Sequence, residues 1–295
     1  MQLLELHTHI KLNNILLLTD FSSPSEHALP FAAAMARRFQ SKIFVTHILP
    51  AVPIESIPIE PMPLDLDALK QNAEQRLNTV GDSALLDGID HEQLLFEGPI
   101  EPSVHRIARQ HDIDLIILGT HGRAGIKKLL LGSVAEEIFR NASCPVLTVG
   151  PHVPAYSQER DRIGNVLFAT DFSPASTKAL PFAVALAQEN KAELTLMHVI
   201  ESTTENVAVS SHLYQAAMGR LSDLLPSDAV NWCEPEFHVE AGLAPDEILR
   251  AANQRHTGLI VLGVHHAARL ASHIPWAVAY SVVRRADCPV LTVRA

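Results

Sequence analysis

The chain has 295 residues, 47% of them apolar and 19% charged, with 23 Lys and Arg against 33 Asp and Glu. That is enough chain for two well-cored domains and too apolar a composition for disorder. A net charge of −10 opposes the phosphate neutralisation on which nucleic-acid affinity largely rests. The longest apolar runs stop after a few residues at Thr, Asp or Gly, far short of the ~20 that a spanning helix needs. Residues 1–11 carry His and Glu where a signal peptide needs a basic start and an apolar run. These features predict a cytoplasmic protein with no nucleic-acid partner and no membrane partner. Cys144, Cys233 and Cys288 are odd in number and form no CxxC, so neither a disulfide framework nor a zinc ribbon is indicated.

In chain order, residues 1–11 are an extension. Residues 14–19 form an apolar run closing on Asp20, a buried strand. Residues 25–39 place Leu29, Ala32, Ala33 and Ala36 at helical spacing, and Pro30 is predicted to bend that helix because it lacks the donor N–H. Residues 43–48 are a second strand. Residues 50–63 hold five prolines and read as a long surface loop. A helix over 64–86 and a strand over 93–97 come next. A helix over 101–111 accommodates Pro102 in its first turn. A strand over 113–118 ends at Gly119, and a helix over 132–141 and a strand over 145–149 complete the series. Helices alternating with mostly unalternating apolar strands predict a parallel sheet covered on both faces. Ligands bind such sheets at the carboxyl ends of strands where the winding reverses, which directs attention to Asp20 and Gly119.

The series then repeats. Thr-Asp-Phe-Ser at Thr19 returns at Thr170, and Ala-Leu-Pro-Phe-Ala at Ala28 returns at Ala179, an offset of 151. Cys-Pro-Val-Leu-Thr-Val at Cys144 returns at Cys288, an offset of 144. Such a period is a duplicated domain, not a solenoid. The boundaries are an extension over 1–11, a first domain over 12–150, a polar linker over 151–162 and a second domain over 163–295. Identical last strands (145–149 and 289–293), each with an edge to cover, predict an intramolecular pseudo-dimer through those strands. A further homodimer stays open.

After the fourth strand the chain reads Gly119-Thr-His121-Gly122, and nine residues later Gly132-Ser133-Val134 opens a helix. Glycines permit close backbone approach, and the first N–H groups of a helix offer free donors with positive partial charge. This is anion-binding architecture, but neither a Walker loop nor GxGxxG. With Thr-Asp-Phe-Ser after strand one, His-Ile closing strand two and Cys-Pro-Val-Leu at strand five, the pattern Gly-x2-Gly-x9-Gly-Ser resembles the universal stress protein family over both halves of the chain. The resemblance implies two tandem Rossmann-like (adenine nucleotide alpha hydrolase-like) α/β domains. Each is a five-stranded parallel sheet of order 3-2-1-4-5. The family further implies an ATP-binding protein of the stress response that binds an adenine nucleotide, with Mg2+. Carried over, Thr19, Asp20 and Ile48 surround adenine and ribose. Gly119, His121 and Gly122 line the sugar and first phosphate, and Gly132, Ser133 and Val134 hold the distal phosphates.

Plainer readings stand beside these. Asp20 also suits a cap for the adjoining loop, and Ser133 with Glu136 is a capping box. His47 and His198 read as structural histidines. The Glu5-Leu-His7-Thr-His9 run lies before the first strand and lacks downstream partners, and neither it nor the group His265, His266 and His273 is expected to hold a metal. No catalytic residue is assigned, and an enzyme would be at most a weak ATPase using His121. A nucleotide-independent interaction module is the remaining alternative. In the second copy Gly122 has become His266, Gly132 Trp276, Ser133 Ala277 and Glu136 Tyr280, while Asp171 persists. One ATP is therefore expected per chain, in the first domain, and none in the second.

Overall fold

The structure is a computed structural model that describes residues 10–49, 65–120, 133–154, 163–201, 211–225, 235–264 and 274–294. The chain divides into two compact units, the first holding the described residues from Leu12 to Cys144 and the second those from Pro145 onward.

In the first unit the strands β1 (Asn14–Leu18), β2 (Lys42–Leu49), β3 (His91–Glu97) and β4 (Leu115–Gly119) lie in the order β3-β2-β1-β4. All pairings are parallel, with Leu17 opposite both Val45 and Ile117. The helices are α1 (Ser23–Glu26), α2 (Ala28–Phe39), α3 (Leu66–Gly81), α4 (Ile100–Gln110) and α5 (Ser133–Asn141). The central strands are buried on both sides: Ile15, Leu16, Leu17, Ile116 and Ile117 are all at most 1% exposed. The spacing of Ala28, Ala32 and Ala36 puts a small-residue face on α2, and all three are buried. Small side chains let a helix backbone come close to the strands it covers.

In the second unit β6 (Asn165–Ala169), β7 (Glu193–Glu201), β8 (Glu236–Gly242), β9 (Leu259–Val264) and β10 (Val290–Arg294) are ordered β8-β7-β6-β9-β10. Counted from the start of the repeat this is the expected 3-2-1-4-5. The helices α6 (Pro174–Asn190), α7 (Ser211–Ser222), α8 (Ala244–Gln254) and α9 (Ile274–Arg285) cover it. The last strand of the first repeat, β5 (Val146–Val149), belongs to this unit by compactness. It runs antiparallel to β10 with Leu147 opposite Leu291. Both leucines are at most 2% exposed. The strand edge of β10 that an open sheet would present is thus covered by a strand of the same sequence.

The prolines act differently in the two copies. In the first, the helix is interrupted at His27, three residues before Pro30. In the second, α6 runs unbroken through Pro181. The expected bend is therefore a break in one copy only, and since both carry the proline, the proline alone does not decide it. The helix expected over 64–86 ends at Gly81 and resumes as a 3-10 turn over Ala84–Leu86. Pro102 occupies the first turn of α4 as expected. The proline-rich loop over 50–63 lies outside the described residues. Cys144 and Cys288 each stand two residues ahead of the last strand of their repeat and make no disulfide. Burial pushes both thiols up, from 9.0 to about 12, with Asp114 adding to the rise at Cys144 and Asp287 at Cys288. Among the described residues no helix is long and apolar enough to cross a membrane.

Candidate functional site

The parallel register carries β1, β2 and β4 to a common carboxyl end, where Thr19, Asp20, Ile48 and Gly119 gather. Leu18 lies opposite Leu118, so Thr19 leaves β1 beside Gly119, the last residue of β4. Thr19 extends the ladder by donating its N–H to the Thr46 carbonyl at 2.9 Å. Ile48, near the end of β2, is buried.

Beyond β1 the chain enters a tightly tied turn. The Thr19 hydroxyl accepts from the Phe21 N–H at 3.0 Å and meets the Ser25 hydroxyl at 3.1 Å. One Asp20 carboxylate oxygen accepts from the Ser22 N–H at 2.9 Å and the Ser22 hydroxyl at 2.5 Å. Burial works to raise the Asp20 carboxyl, but the hydrogen bonds from Ser22 and Ser25 outweigh it and hold the group below its ordinary 3.8. Asp20 therefore does cap the loop, and a carboxylate kept ionised remains a hydrogen-bond acceptor for a ligand hydroxyl. Asp20→Asn is expected to lower stability near pH 7 by about 1 kcal/mol. A carboxyl depressed in the folded state stabilises above its unfolded pKa and loses that contribution as pH falls through the folded value. The gap to wild type should thus close as the pH is lowered from neutral to below the carboxyl's ordinary 3.8. A gap that stays constant in chemical denaturation over that range would contradict the assignment.

The sequence reading missed the residues that brace this turn from a distance. Phe21 adopts φ 61°, a left-handed conformation that a bulky side chain seldom takes. Its ring lies 4.4 Å from the His47 ring and 4.5 Å from the Arg76 guanidinium, and Arg76 also donates to the Phe21 carbonyl at 2.8 Å. His47 places Nδ1 2.7 Å from the Thr19 carbonyl; a carbonyl only accepts, so Nδ1 carries the proton. His47 is thus structural, as read from the sequence.

The second unit repeats the arrangement. Phe172 has φ 60°, its ring is 4.5 Å from that of His198 and 3.9 Å from the Arg220 guanidinium, and His198 Nδ1 meets the Thr170 carbonyl at 2.8 Å. Asp171 accepts from the Ser173 N–H at 2.9 Å and the Ser176 hydroxyl at 2.5 Å. The signal was present: Phe21, Arg76 and Ser25 each recur in the second copy as Phe172, Arg220 and Ser176. Beside this turn lies a cavity of about 410 Å3, bounded by the ends of β6, β7 and β9 and by α8 and α9.

Of the remaining candidates, Ser133 and Val134 open α5. His121, Gly122 and Gly132 lie outside the described residues, as do Glu5, His7, His9, His265, His266 and His273. Among the described residues no group of three His, Cys, Asp or Glu is placed to hold a metal ion.

Comparison with known proteins agrees with this geometry. The model of the universal stress protein family matches residues 11–150 and 162–294. Universal stress protein MJ0531 of Methanocaldococcus jannaschii is 32% identical over 136 residues, which are 46% of this chain and 80% of the relative. Universal stress protein Rv2005c of Mycobacterium tuberculosis is 27% identical over 206 residues, 68% of each chain. The crystal structure of a universal stress protein from Archaeoglobus fulgidus superposes with a TM-score of 0.71 at 23% identity, over 97% of this chain and 99% of that one, a likeness of fold. Two matched segments filling nearly the whole sequence, each with the same strand order and the same Thr-Asp-Phe turn, make this chain a tandem member of the universal stress protein family.

Proposed function

We propose that the chain binds one ATP, with Mg2+, in its first domain (12–150), and acts as a regulatory protein of the stress response rather than as a metabolic enzyme. The observation that carries the reading is the placement of Asp20 and Gly119 at the carboxyl ends of two adjacent parallel strands, with α5 opening at Ser133. Asp20 supplies an ionised acceptor for ribose hydroxyls, and buried Ile48 and Thr19 supply walls for adenine. The loop Gly119-x2-Gly122-x9-Gly132-Ser133, with His121, offers glycine backbone and a helix start to the phosphates and metal. Val134 continues that start.

The second domain (163–295), joined through the linker over 151–162, serves as a built-in partner in a pseudo-dimer. The pairing of β5 with β10 supports this. Free Cys144 and Cys288 suit the reducing cytoplasm. Calorimetric titration of the full chain should saturate near one ATP per chain. Saturation at two, or no binding, would overturn the reading. Mass spectrometry of the denatured, purified protein should release an adenine nucleotide.

A further inference from the structure

β3 pairs with β2 on one side, and among the described strands nothing pairs its other side. A free edge offers a row of unpaired N–H and C=O groups, which proteins ordinarily blunt with charge, proline or a bulge. β8, the matching strand of the second repeat, is blunted by charge. Glu236, His238 and Glu240 alternate along one face of it. Arg255 donates to Glu236 and to His238, and Arg250 pairs with Glu240 at 3.0 Å. β3 lacks this device. Leu95 lies opposite His47 as Val239 lies opposite His198, so Leu94 stands where the second repeat has His238, and Phe96 where it has Glu240. Arg106 holds the place of Arg250 on α4 and lies over the Phe96 ring at 5.6 Å. β3 also holds no proline, and its register with β2 runs unbroken from His91 to Glu97.

The free groups of β3 are complementary to themselves. The Ile43 N–H donates to the Asp90 carbonyl, and the Gly98 N–H donates to the Leu49 carbonyl. Peptide groups alternate in direction along a strand, so the even-numbered residues face β2. His91, Gln93, Leu95 and Glu97 then present their N–H and C=O groups outward. Two such strands laid antiparallel, Leu95 against Leu95, exchange hydrogen bonds there and between Gln93 and Glu97. Leu94 of one chain then packs on Phe96 of the other, an aliphatic–aromatic pair. No carboxylate faces a carboxylate: Glu97 meets Gln93 and lies diagonal to His91, while Glu92 meets Gly98. We propose that β3 is a self-association edge, and that two copies of this chain pair through it, antiparallel about Leu95. The proposal is independent of whether the first domain holds ATP.

Sedimentation velocity of the full chain should show a dimer at about 100 µM that dissociates on dilution, because one strand pair makes a small interface. Leu94→His combined with Phe96→Glu gives β3 the side chains that β8 already carries in a folded strand, with Arg106 placed to meet the new carboxylate. This variant should weaken the dimer at least about tenfold with far-UV circular dichroism unchanged. Facing residues of an antiparallel pair bring their Cα atoms to about 5.5 Å, within disulfide reach. Leu95→Cys should therefore form a reducible covalent dimer under mild oxidation, beyond any formed by wild type, and Gln93→Cys should not. A monomer at about 100 µM would overturn the proposal. So would a dimer indifferent to the double substitution, or equal cross-linking at positions 93 and 95. The two cysteine variants decide the matter if the double variant fails to fold.

Discussion

Replacing Gly263 with alanine is expected to destabilise the second unit by about 3 kcal/mol. A Cβ at this position would stand 2.3 Å from the Ser176 nitrogen and 2.4 Å from the Ala175 carbonyl carbon. Both are backbone atoms at the start of α6, so no side chain can rotate away and the helix itself must move. That helix start also carries the Ser176 hydroxyl that donates to Asp171. The damage should therefore spread into the turn, and Gly263 lines the cavity beside it. For a unit of this size the melting temperature should fall by roughly 6–12 °C. Gly219→Ala provides the opposite case. Gly219 lies in α7 with nothing within 4 Å of its added Cβ. A solvent-facing helical glycine replaced by alanine gains about 0.5–1 kcal/mol. Differential scanning calorimetry of the two variants should give shifts of opposite sign. Two shifts of the same sign would show that close helix–strand approach is not what Gly263 provides.

Gly132→Trp should weaken ATP binding to the full chain at least about 100-fold, equivalent to about 2.7 kcal/mol. The variant gives the first copy the residue that the second copy carries as Trp276. An indole buries roughly 200 Å2 where it packs, and in the proposed cradle it would occupy space meant for a phosphate. Because the change precedes α5 in the sequence, far-UV circular dichroism should not alter. ATP binding at wild-type affinity in this variant would show that residues 119–133 do not form the phosphate cradle.

Much of this architecture was readable in the residues. The apolar runs at 14–19, 43–48 and 113–118 have β1, β2 and β4 within two residues of their ends, because a strand buried on both faces needs an unbroken apolar run. The identity of residues 144–149 with 288–293 pointed to the pairing seen between β5 and β10. The turn after β1 was only half legible. Asp20 could be read because one of its carboxylate oxygens engages Ser22, two residues away. The left-handed Phe21 could not, since local sterics disfavour it. What compensates lies far along the chain, at His47 and Arg76. The cavity in the second unit was hidden for the same reason. Its walls come from strand ends and helices that are distant in sequence, and no local pattern announces the space left between them.

The thiols of Cys144 and Cys288 bear on how the folded chain meets an oxidant. Peroxides and disulfides react with thiolate, and a thiol pushed up to about 12 presents on the order of one thiolate in 10^5 molecules near neutral pH. Cys144, half-buried, and Cys288, buried, are therefore weak nucleophiles toward oxidants while the sheets stay folded. Oxidation at these two strand starts is expected to be slow in the folded chain and faster once the strands unfold and the thiols regain their ordinary acidity.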